Sequence, residues 1–400
     1  MGEWKESTLG DVSIDGGHYG IAASAVPLDA SLPTYLRITD ICDDGTINKS
    51  GLTSVDDPNS VEYILSPNDL VIARTGASTG RNYFYDGRDG ELVYAGFLIK
   101  FSIDPNKIYP QYVKYWFLSP FYKAWLNSHT DGSTRANINA VTLADCPIRF
   151  PADLPTQRRI AAVLGALDDK IEVNRKICEN LEAQAQALFK AWFVDFEPFG
   201  GKRPEGWKMG KLGDVAAIRR ESITPDEMDE IVEHYSLPAF DESKFPAYDT
   251  SESIKSNKFK IGKNSVLLSK LNPRIKRLWD PFVDTESAVA STEFVVFEPF
   301  KVAFRYFVYS VLDSEGLYQY SMAHAAGTTN SHQRVTPDDI LEYEIVLPAE
   351  EDILKYCGVV EPMYASVKRR IKESRALAAM RDALLPKLMS GELAVEKVDG

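Results

Sequence analysis

The chain repeats itself, and a repeat of domain length constrains its fold more than anything else in the sequence. Trp4-Lys5-x-x-x-Leu9-Gly10-Asp11-Val12 recurs as Trp207-Lys208-x-x-x-Leu212-Gly213-Asp214-Val215, an offset of 203 residues. The apolar run Asp69-Leu-Val-Ile-Ala-Arg74 matches Ser265-Val-Leu-Leu-Ser-Lys270 at 196, Gly132-Ser-Thr134 matches Gly327-Thr-Thr329 at 195, and Leu181-x-Ala-x-x-x-Ala-Leu188 matches Leu377-x-Ala-x-x-x-Ala-Leu384 at 196. Four collinear matches at nearly one offset define a duplicated unit too long for a solenoid repeat and long enough for a whole domain. A doubled domain suits a target in two parts.

Each half reads as mixed α and β. Short apolar runs at Asp69 to Ala73, Tyr94 to Phe101, Ser265 to Leu268 and Phe294 to Phe297 lie between Gly, Asn and Pro turns and predict strands. Pro110 to Leu126 and Ala303 to Leu312 carry apolar residues at helical spacing. Both halves close on an apolar strand and a proline, Ile148-Arg-Phe-Pro151 and Ile345-Val-Leu-Pro348, and a long helix is expected after each. In the first, Ile160, Leu164, Leu167, Ile171, Asn174, Cys178, Leu181, Ala185, Leu188 and Trp192 alternate at steps of three and four, a coiled-coil seam in which Asn174 is the one strongly polar member. From Thr156 to Phe193 that helix spans roughly 55 Å at 1.5 Å per residue. Val360, Met363, Val367, Ile371, Leu377, Leu384 and Leu388 supply the partner seam, ending at Pro386 or at Ser390-Gly391.

The expected organisation is therefore a first domain at 1–152, a central helix at 153–197, a second domain at 198–348, a second helix at 349–393 and a tail at 394–400. The segment Glu197-Pro-Phe-Gly-Gly-Lys-Arg-Pro204 is the linker into the second half.

The net charge of −13 sits awkwardly with nucleic-acid binding until its distribution is considered. It is −6 over residues 1–150 and −7 over 204–347, and zero over 151–203 and 348–400. Yet Ser253 to Trp279 holds eight basic residues, Lys255, Lys258, Lys260, Lys263, Lys270, Arg274, Lys276 and Arg277, and no acid. Cys42, Cys146, Cys178 and Cys357 are isolated and the five histidines form no cluster, so four reduced thiols and no metal site are expected. No segment approaches the roughly 20 uncharged residues of a membrane span, and no signal peptide is visible, so a cytoplasmic protein is expected.

At this point the helical motifs are specific. Pro151-x-x-Leu-Pro-Thr-Gln-Arg-Arg-Ile-Ala-Ala-Val-Leu-x-x-Leu-Asp-Asp-Lys-Ile171, then Asn174-Arg-Lys-Ile177 and Leu181-Glu-Ala-Gln-Ala-Gln-Ala-Leu-Phe-Lys-Ala-Trp-Phe193, resembles the central helical region of type I restriction–modification specificity subunits. Leu384-Leu-Pro-Lys-Leu-Met-Ser-Gly-Glu-Leu393 is similar to the end of their second helical region, and the Leu-Gly-Asp-Val openings and Gly-Ser-Thr closings match their target recognition domains. The resemblance implies an α+β chain of two tandem α/β recognition domains, separated by two long helices in an antiparallel coiled coil with pseudo-twofold symmetry. It implies no catalytic site on this chain. Each domain would read one half of a bipartite site on double-stranded DNA, while the helix pair sets the spacing and docks two methyltransferase subunits. S-adenosylmethionine would then belong to the methyltransferase partner, and ATP and Mg²⁺ to restriction subunits joining the complex. The second helical region departs from the first: Ala349-Glu-Glu-Asp-Ile replaces the Gln-Arg-Arg-Ile opening.

Reading DNA takes cations for phosphates and amide, guanidinium or hydroxyl groups for base edges. Lys270, Asn272, Arg274, Lys276 and Arg277 offer both on an expected exposed loop, with Lys255, Lys258, Lys260 and Lys263 upstream. The first-half counterpart is Arg74, Thr75, Ser78, Arg81 and Asn82, with glycines that admit a close backbone approach. A second loop pair is Ser133, Thr134, Arg135 and Asn137 with Thr328, Thr329, Asn330, His332, Gln333 and Arg334. Other chemistry fits less well. Thr75-Gly-Ala-Ser-Thr-Gly80 with Tyr364-Ala-Ser-Val-Lys368 is suggestive of a short-chain dehydrogenase, but Asn82 stands in place of the third glycine and no βα alternation follows. Gly76 to Arg81 lacks the Walker spacing and its Lys-Ser/Thr. Pro225-Asp226 with Glu242-Ser-Lys244 has nuclease-like residue types in an acidic, loop-like part of one half. Neither Asn272-Pro273-Arg274 nor Asp280-Pro281-Phe282 has the second proline of an adenine methyltransferase loop. A helical-linker adaptor that joins proteins without reading DNA is the alternative that the acidic charge favours.

Overall fold

The apolar run before Arg74 forms a strand, Asp69–Ala73, buried along its whole length, in the computed structural model, which describes residues 3–130, 137–327 and 333–395. Side chains alternate across a strand. Leu70 and Ile72 accordingly pack with Ile99, Phe101 and the helix Pro110–Leu118, while Val71 and Ala73 pack with Leu36, Leu92 and Tyr94 of a second sheet. The first sheet runs His18–Tyr19, Leu98–Ser102, Asp69–Ala73, Asn82–Tyr85, all antiparallel. The second runs Ala25–Val26, Thr53–Val55, Thr34–Leu36, Leu92–Tyr94, its last pair parallel.

The second domain repeats this layering. Its first sheet runs Ala216–Arg219, Phe294–Pro299, Val266–Ser269, Leu278–Trp279, again antiparallel. Val266 and Leu268 face a helix, Arg305–Asp313, and Leu267 faces Tyr235 and Trp279. In the other sheet Ile231–Tyr235 pairs parallel with Ala288–Ser291, as Thr34–Leu36 does with Leu92–Tyr94. The repeated sequence is thus a repeated architecture.

Its opening motif closes each domain. Trp4–Thr8 pairs with Pro147–Pro151, and Lys208–Lys211 with Glu344–Leu347, so the first and last strands of each domain meet and the last leads into a long helix. Leu9 and Leu212 are fully buried. Gly10 and Gly213 lie so close to the short helices Ala140–Ala144 and Pro337–Leu341 that an added Cβ would stand 3.2 Å from Ala144 and 3.3 Å from Leu341. Leu-Gly-Asp-Val is therefore a packing motif.

The structure differs from the sequence reading in places. Tyr94 to Phe101 is two strands in two sheets, because the turn closed by Leu98 N–H on the Ala95 carbonyl at 2.8 Å carries the chain from one layer to the other. Pro110 to Leu126 is split at Ser119-Pro120 into Pro110–Leu118 and Pro120–Thr130, since a proline cannot donate to the preceding turn. Pro386 does not end the second long helix. That helix runs Glu350–Ser390 and stops at Gly391, whose φ of +79° suits glycine. Burial of Leu385, Leu388 and Met389 in the first domain's core holds its last turn.

The first long helix is Leu154–Phe193. By contacts the chain divides into two compact units, Met1–Lys170 with Ala376–Gly400, and Ile171–Arg375, so that each unit contains one domain and a stretch of both helices. In the second unit the helices run antiparallel: Asn174 bonds to Arg370 and Glu373, the Cys178 thiol to the Val367 carbonyl, and the Tyr356 hydroxyl to the Ala185 carbonyl. Asn174 is fully buried and satisfied, its amide donating to Glu373 at 2.9 Å and to Ser374 at 3.3 Å and its carbonyl accepting from Arg370 at 2.9 Å. In the first unit Asp168 binds Arg381 at 3.0 Å, together with Lys114 at 3.1 Å and Tyr115 at 2.8 Å. Burial alone would raise the Asp168 pKa, but Lys114, Arg381 and Tyr115 together hold it below the usual carboxylate value.

Of the expected seam, Ile160, Leu164, Ala185, Val360, Val367 and Leu388 are buried, whereas Leu167, Ile171, Leu181, Leu188, Met363, Ile371, Leu377 and Leu384 are half-buried. The helices also bury residues off that seam in the domains. Phe189, Phe193, Ile353, Tyr356 and Tyr364 belong to the second domain's core. Gln157, where the second helix has Ile353, is buried and clips its helix to the first domain, accepting from Tyr109 N–H and donating to the Pro151 carbonyl, both at 2.8 Å. The four cysteines are free thiols, and among the described residues no helix is long and apolar enough to cross a membrane.

Candidate nucleic-acid interface

In both domains the loop after the central strand is held by the same four backbone interactions. Arg74 N–H donates to the Phe97 carbonyl, as Lys270 N–H does to Glu293, each at 3.0 Å. Arg74 accepts from Ile138 N–H at 2.9 Å, and Lys270 from Val335 N–H at 3.1 Å. Thr75 bridges to Asn137 as Leu271 does to Arg334. Ala73 N–H meets the Arg81 carbonyl at 2.8 Å, and Ser269 N–H the Arg277 carbonyl at 2.9 Å. This correspondence aligns Arg74 with Lys270, Phe97 with Glu293, Asn137 with Arg334, and Arg81 with Arg277.

In the first domain the Arg74 guanidinium lies over the Tyr19 ring, 4.8 Å from its centroid, and approaches the Asn137 carbonyl oxygen at 3.4 Å. Tyr19 is fixed by a hydrogen bond from Ala140 N–H at 3.2 Å. Its neighbour Gly20 has no room for a side chain, since a Cβ there would stand 2.3 Å from the Tyr94 and Ala95 carbonyl oxygens. Arg74, Thr75 and Asn137 are thus brought together at the surface, joined by Tyr19 and Phe97, which the sequence reading missed. Their signal was absent from the local sequence: a Tyr before Gly and a Phe after Gly become neighbours of Arg74 only through strand pairing.

Other expected contacts lie elsewhere. Asn82 is buried, donating to the Phe117 carbonyl at 2.8 Å, and Ser78 is buried beneath its own loop. Arg81 is engaged by both oxygens of Asp43, at 2.7 and 3.0 Å, and its counterpart Arg277 by both oxygens of Asp241, at 2.6 and 2.8 Å. A bidentate clamp that recurs at the same position in both domains is a feature of the fold.

In the second domain Asn272 takes a left-handed φ of 49° and donates its N–H to the Gln333 carbonyl at 2.8 Å, which ties the two expected loops together. Arg274 and Lys263 are exposed and Lys270 is half-exposed, and none of the three forms an ion pair among the described residues. Lys276 pairs with Asp313, Arg334 with Glu293 at 2.9 Å, Lys260 with Glu221 at 3.0 Å, and Lys255 bonds the Glu252 carbonyl. Lys258 corrects the reading of this stretch as uniformly presented: it lies in the strand Lys258–Lys260 and is buried, with its ammonium on Ser256 at 2.8 Å and its pKa lowered by burial. Ser133, Thr134, Arg135, Thr328, Thr329, Asn330 and His332 lie outside the described residues.

The residues suggestive of other chemistry do not assemble. Thr75 to Gly80 leads into a strand, Asn82–Tyr85, where a phosphate loop would open a helix. An added Cβ on Gly80 would overlap Leu126, at 1.9 Å. Tyr364 is stacked on Tyr306 at 5.0 Å, and Lys368 binds Asp280 at 3.2 Å. Lys244 caps the helix Leu237–Ser243 and reaches Glu182 at 3.4 Å. Among the described residues no group of three or more His, Cys, Asp or Glu side chains is placed to hold a metal ion.

Two mixed α/β domains that share a four-stranded antiparallel sheet and a parallel strand pair, though their second sheets have four strands and five, are each packed on the long helices and define a duplicated two-domain scaffold with paired surface loops. Residues 1–183 match the family model of the type I restriction modification DNA specificity domain. The chain is 27% identical over 324 residues to the specificity subunit of the type I restriction enzyme MjaIX of Methanocaldococcus jannaschii, covering 74% of this chain and 72% of that one. It is 28% identical over 244 residues to the HindI specificity subunit of Haemophilus influenzae, covering 57% of this chain and 50% of that one. The crystal structure of a type I S subunit from M. genitalium shares the fold, with a TM-score of 0.56 over 99% of this chain and 97% of that one at 15% identity. Over residues 1–183 the chain is thus similar to the type I DNA specificity domain, and over 74% of its length it is similar to a type I specificity subunit.

Proposed function

We propose that this chain is the DNA-reading subunit of a type I restriction–modification complex, with each domain reading one half of a bipartite site. The observation that carries the reading is the recurrence of one loop frame in two domains with different side chains at its tips: Arg74, Phe97 and Asn137 in one, Lys270, Glu293 and Arg334 in the other. A common frame with altered tips is what reading two different half-sites requires. Lys263, Lys270 and Arg274 would hold phosphates. The half-buried faces of the two long helices would dock two methyltransferase subunits and set the distance between half-sites. Adenine methylation with S-adenosylmethionine would then be the partners' chemistry, and ATP-driven cleavage that of restriction subunits joining later.

The deciding experiment is genome-wide mapping of methyladenine in a methylation-free host that expresses the chain with its methyltransferase, against the methyltransferase alone. The expected result is a split motif with one methylated adenine in each half, seen only when the chain is present. A stable complex with no new methylation would favour the helical-linker adaptor, to which the overall charge of −13 is better suited.

A further inference from the structure

The first domain displays an aromatic ring at the surface that its fold does not use. Phe97 is 61% exposed, while its backbone is tightly held. Its carbonyl accepts from Arg74, the turn is closed by Leu98 N–H on Ala95, and a Cβ on neighbouring Gly96 would stand 3.2 Å from the Ile21 carbonyl oxygen. Single exposed apolar residues are ordinary on protein surfaces. What distinguishes this one is its company: Arg74, with its guanidinium over Tyr19, and Asn137, within 3.4 Å of Arg74. A cation, an amide and an apolar ring on three backbone-linked segments are the side-chain types that contact a phosphate, an adenine edge and a thymine methyl.

The second domain supplies an internal comparison. At the position of Phe97 it carries Glu293, and at that of Asn137 it carries Arg334, and the two are joined at 2.9 and 3.1 Å. The frame is shared, and at this position of it an apolar ring stands in the first domain and a carboxylate in the second.

We propose that Phe97 is a specificity-determining residue of the first domain, contacting the 5-methyl group of one thymine in duplex DNA. The inference rests on the DNA-reading function proposed above. The ring excludes water from the methyl group and discriminates thymine from cytosine at that base pair, while Arg74 and Asn137 fix the register of the loop on the duplex. The second domain has Glu293 at the position of Phe97, so loss of this ring is expected to affect one half-site.

The test uses the full chain assembled with its methyltransferase. Mapping methylation with wild-type protein first identifies both half-sites. Phe97→Ala, a change at an exposed side chain, is expected to reduce the preference for thymine at one position of one half-site about fivefold, with the other half-site unchanged. Binding is then measured by fluorescence anisotropy on duplexes in which that thymine is replaced by deoxyuridine, which removes only the methyl group. Wild-type affinity should fall about threefold to fivefold on deoxyuridine, and the Phe97→Ala complex should bind both duplexes equally. Equal losses from deoxyuridine in the wild-type and variant complexes, or weakening of all sequences alike by Phe97→Ala, would overturn the assignment. Absence of any bipartite methylation with the wild-type chain would overturn the DNA-reading function itself, a failure visible before any variant is made.

Discussion

Arginine at a turn is ambiguous in a sequence, and this chain contains both outcomes of that ambiguity. Arg81 and Arg277 occupy equivalent positions and each is engaged by two oxygens of one aspartate, whereas Arg74 lies over an aromatic ring with no carboxylate partner among the described residues. The two kinds of arginine should respond differently to substitution. Arg277→Ala removes a side chain only 11% exposed from its two bonds to the more exposed Asp241, and should lower stability by about 1 kcal/mol while the methylated motif is retained. Arg74→Ala should leave the denaturant midpoint unchanged and weaken binding by about 1–3 kcal/mol, mainly through one half-site. Urea denaturation and methylome mapping of the two variants check both halves of the contrast. A changed motif in Arg277→Ala would mean that its clamp is part of the reading surface.

The long helices are parts of the domain cores as much as partners of each other, and their polar anchors carry the predictions. Asn174→Ala removes the acceptor for Arg370 and the donor to Glu373 in a fully buried position, and should cost about 1–3 kcal/mol, read as a lower urea midpoint. Asp168 anchors the first unit. Its folded pKa is depressed, so it contributes stability above the unfolded value of about 3.9, and that contribution is lost as pH falls through the lowered folded value. Between pH 5 and pH 3, about the window in which an unfolded aspartate begins to protonate, wild-type stability should fall more steeply than that of Asp168→Asn. Parallel curves would remove Asp168 from the account. These anchors also mark how far the sequence was legible. Helix positions, Asn174 as the polar residue of the seam, and the central strands followed from periodicity, because apolar spacing is a local property. The inward turn of Asn82 and Lys258, the crossing of the chain at Gly96 and the pairing of Arg81 with Asp43 did not, because each depends on residues more distant in sequence or on which face a strand presents.

Duplication gives this chain two copies of one frame and, with them, a way to change each reading surface without disturbing the other. Backbone interactions repeated at Arg74 and Lys270 keep the loop frame constant, while Phe97 and Asn137 in one domain stand where Glu293 and Arg334 stand in the other. The helices Leu154–Phe193 and Glu350–Ser390 present no such reading loops, and under the proposed function they dock the methyltransferase subunits and set the distance between half-sites. That separation of roles makes a specific prediction. One heptad inserted in each helix, at Val173 and at Lys372, keeps the three-four spacing of the seam and adds about 10 Å at 1.5 Å per residue. With base pairs spaced about 3.4 Å apart, the gap between the two half-sites should lengthen by about three base pairs, and both half-site sequences should stay as they were. Methylome mapping of the double-insertion chain with its methyltransferase reads the gap and the half-sites in one experiment. A gap that stays constant in a folded, active complex would show that the methyltransferase partners, and not these helices, set the spacing.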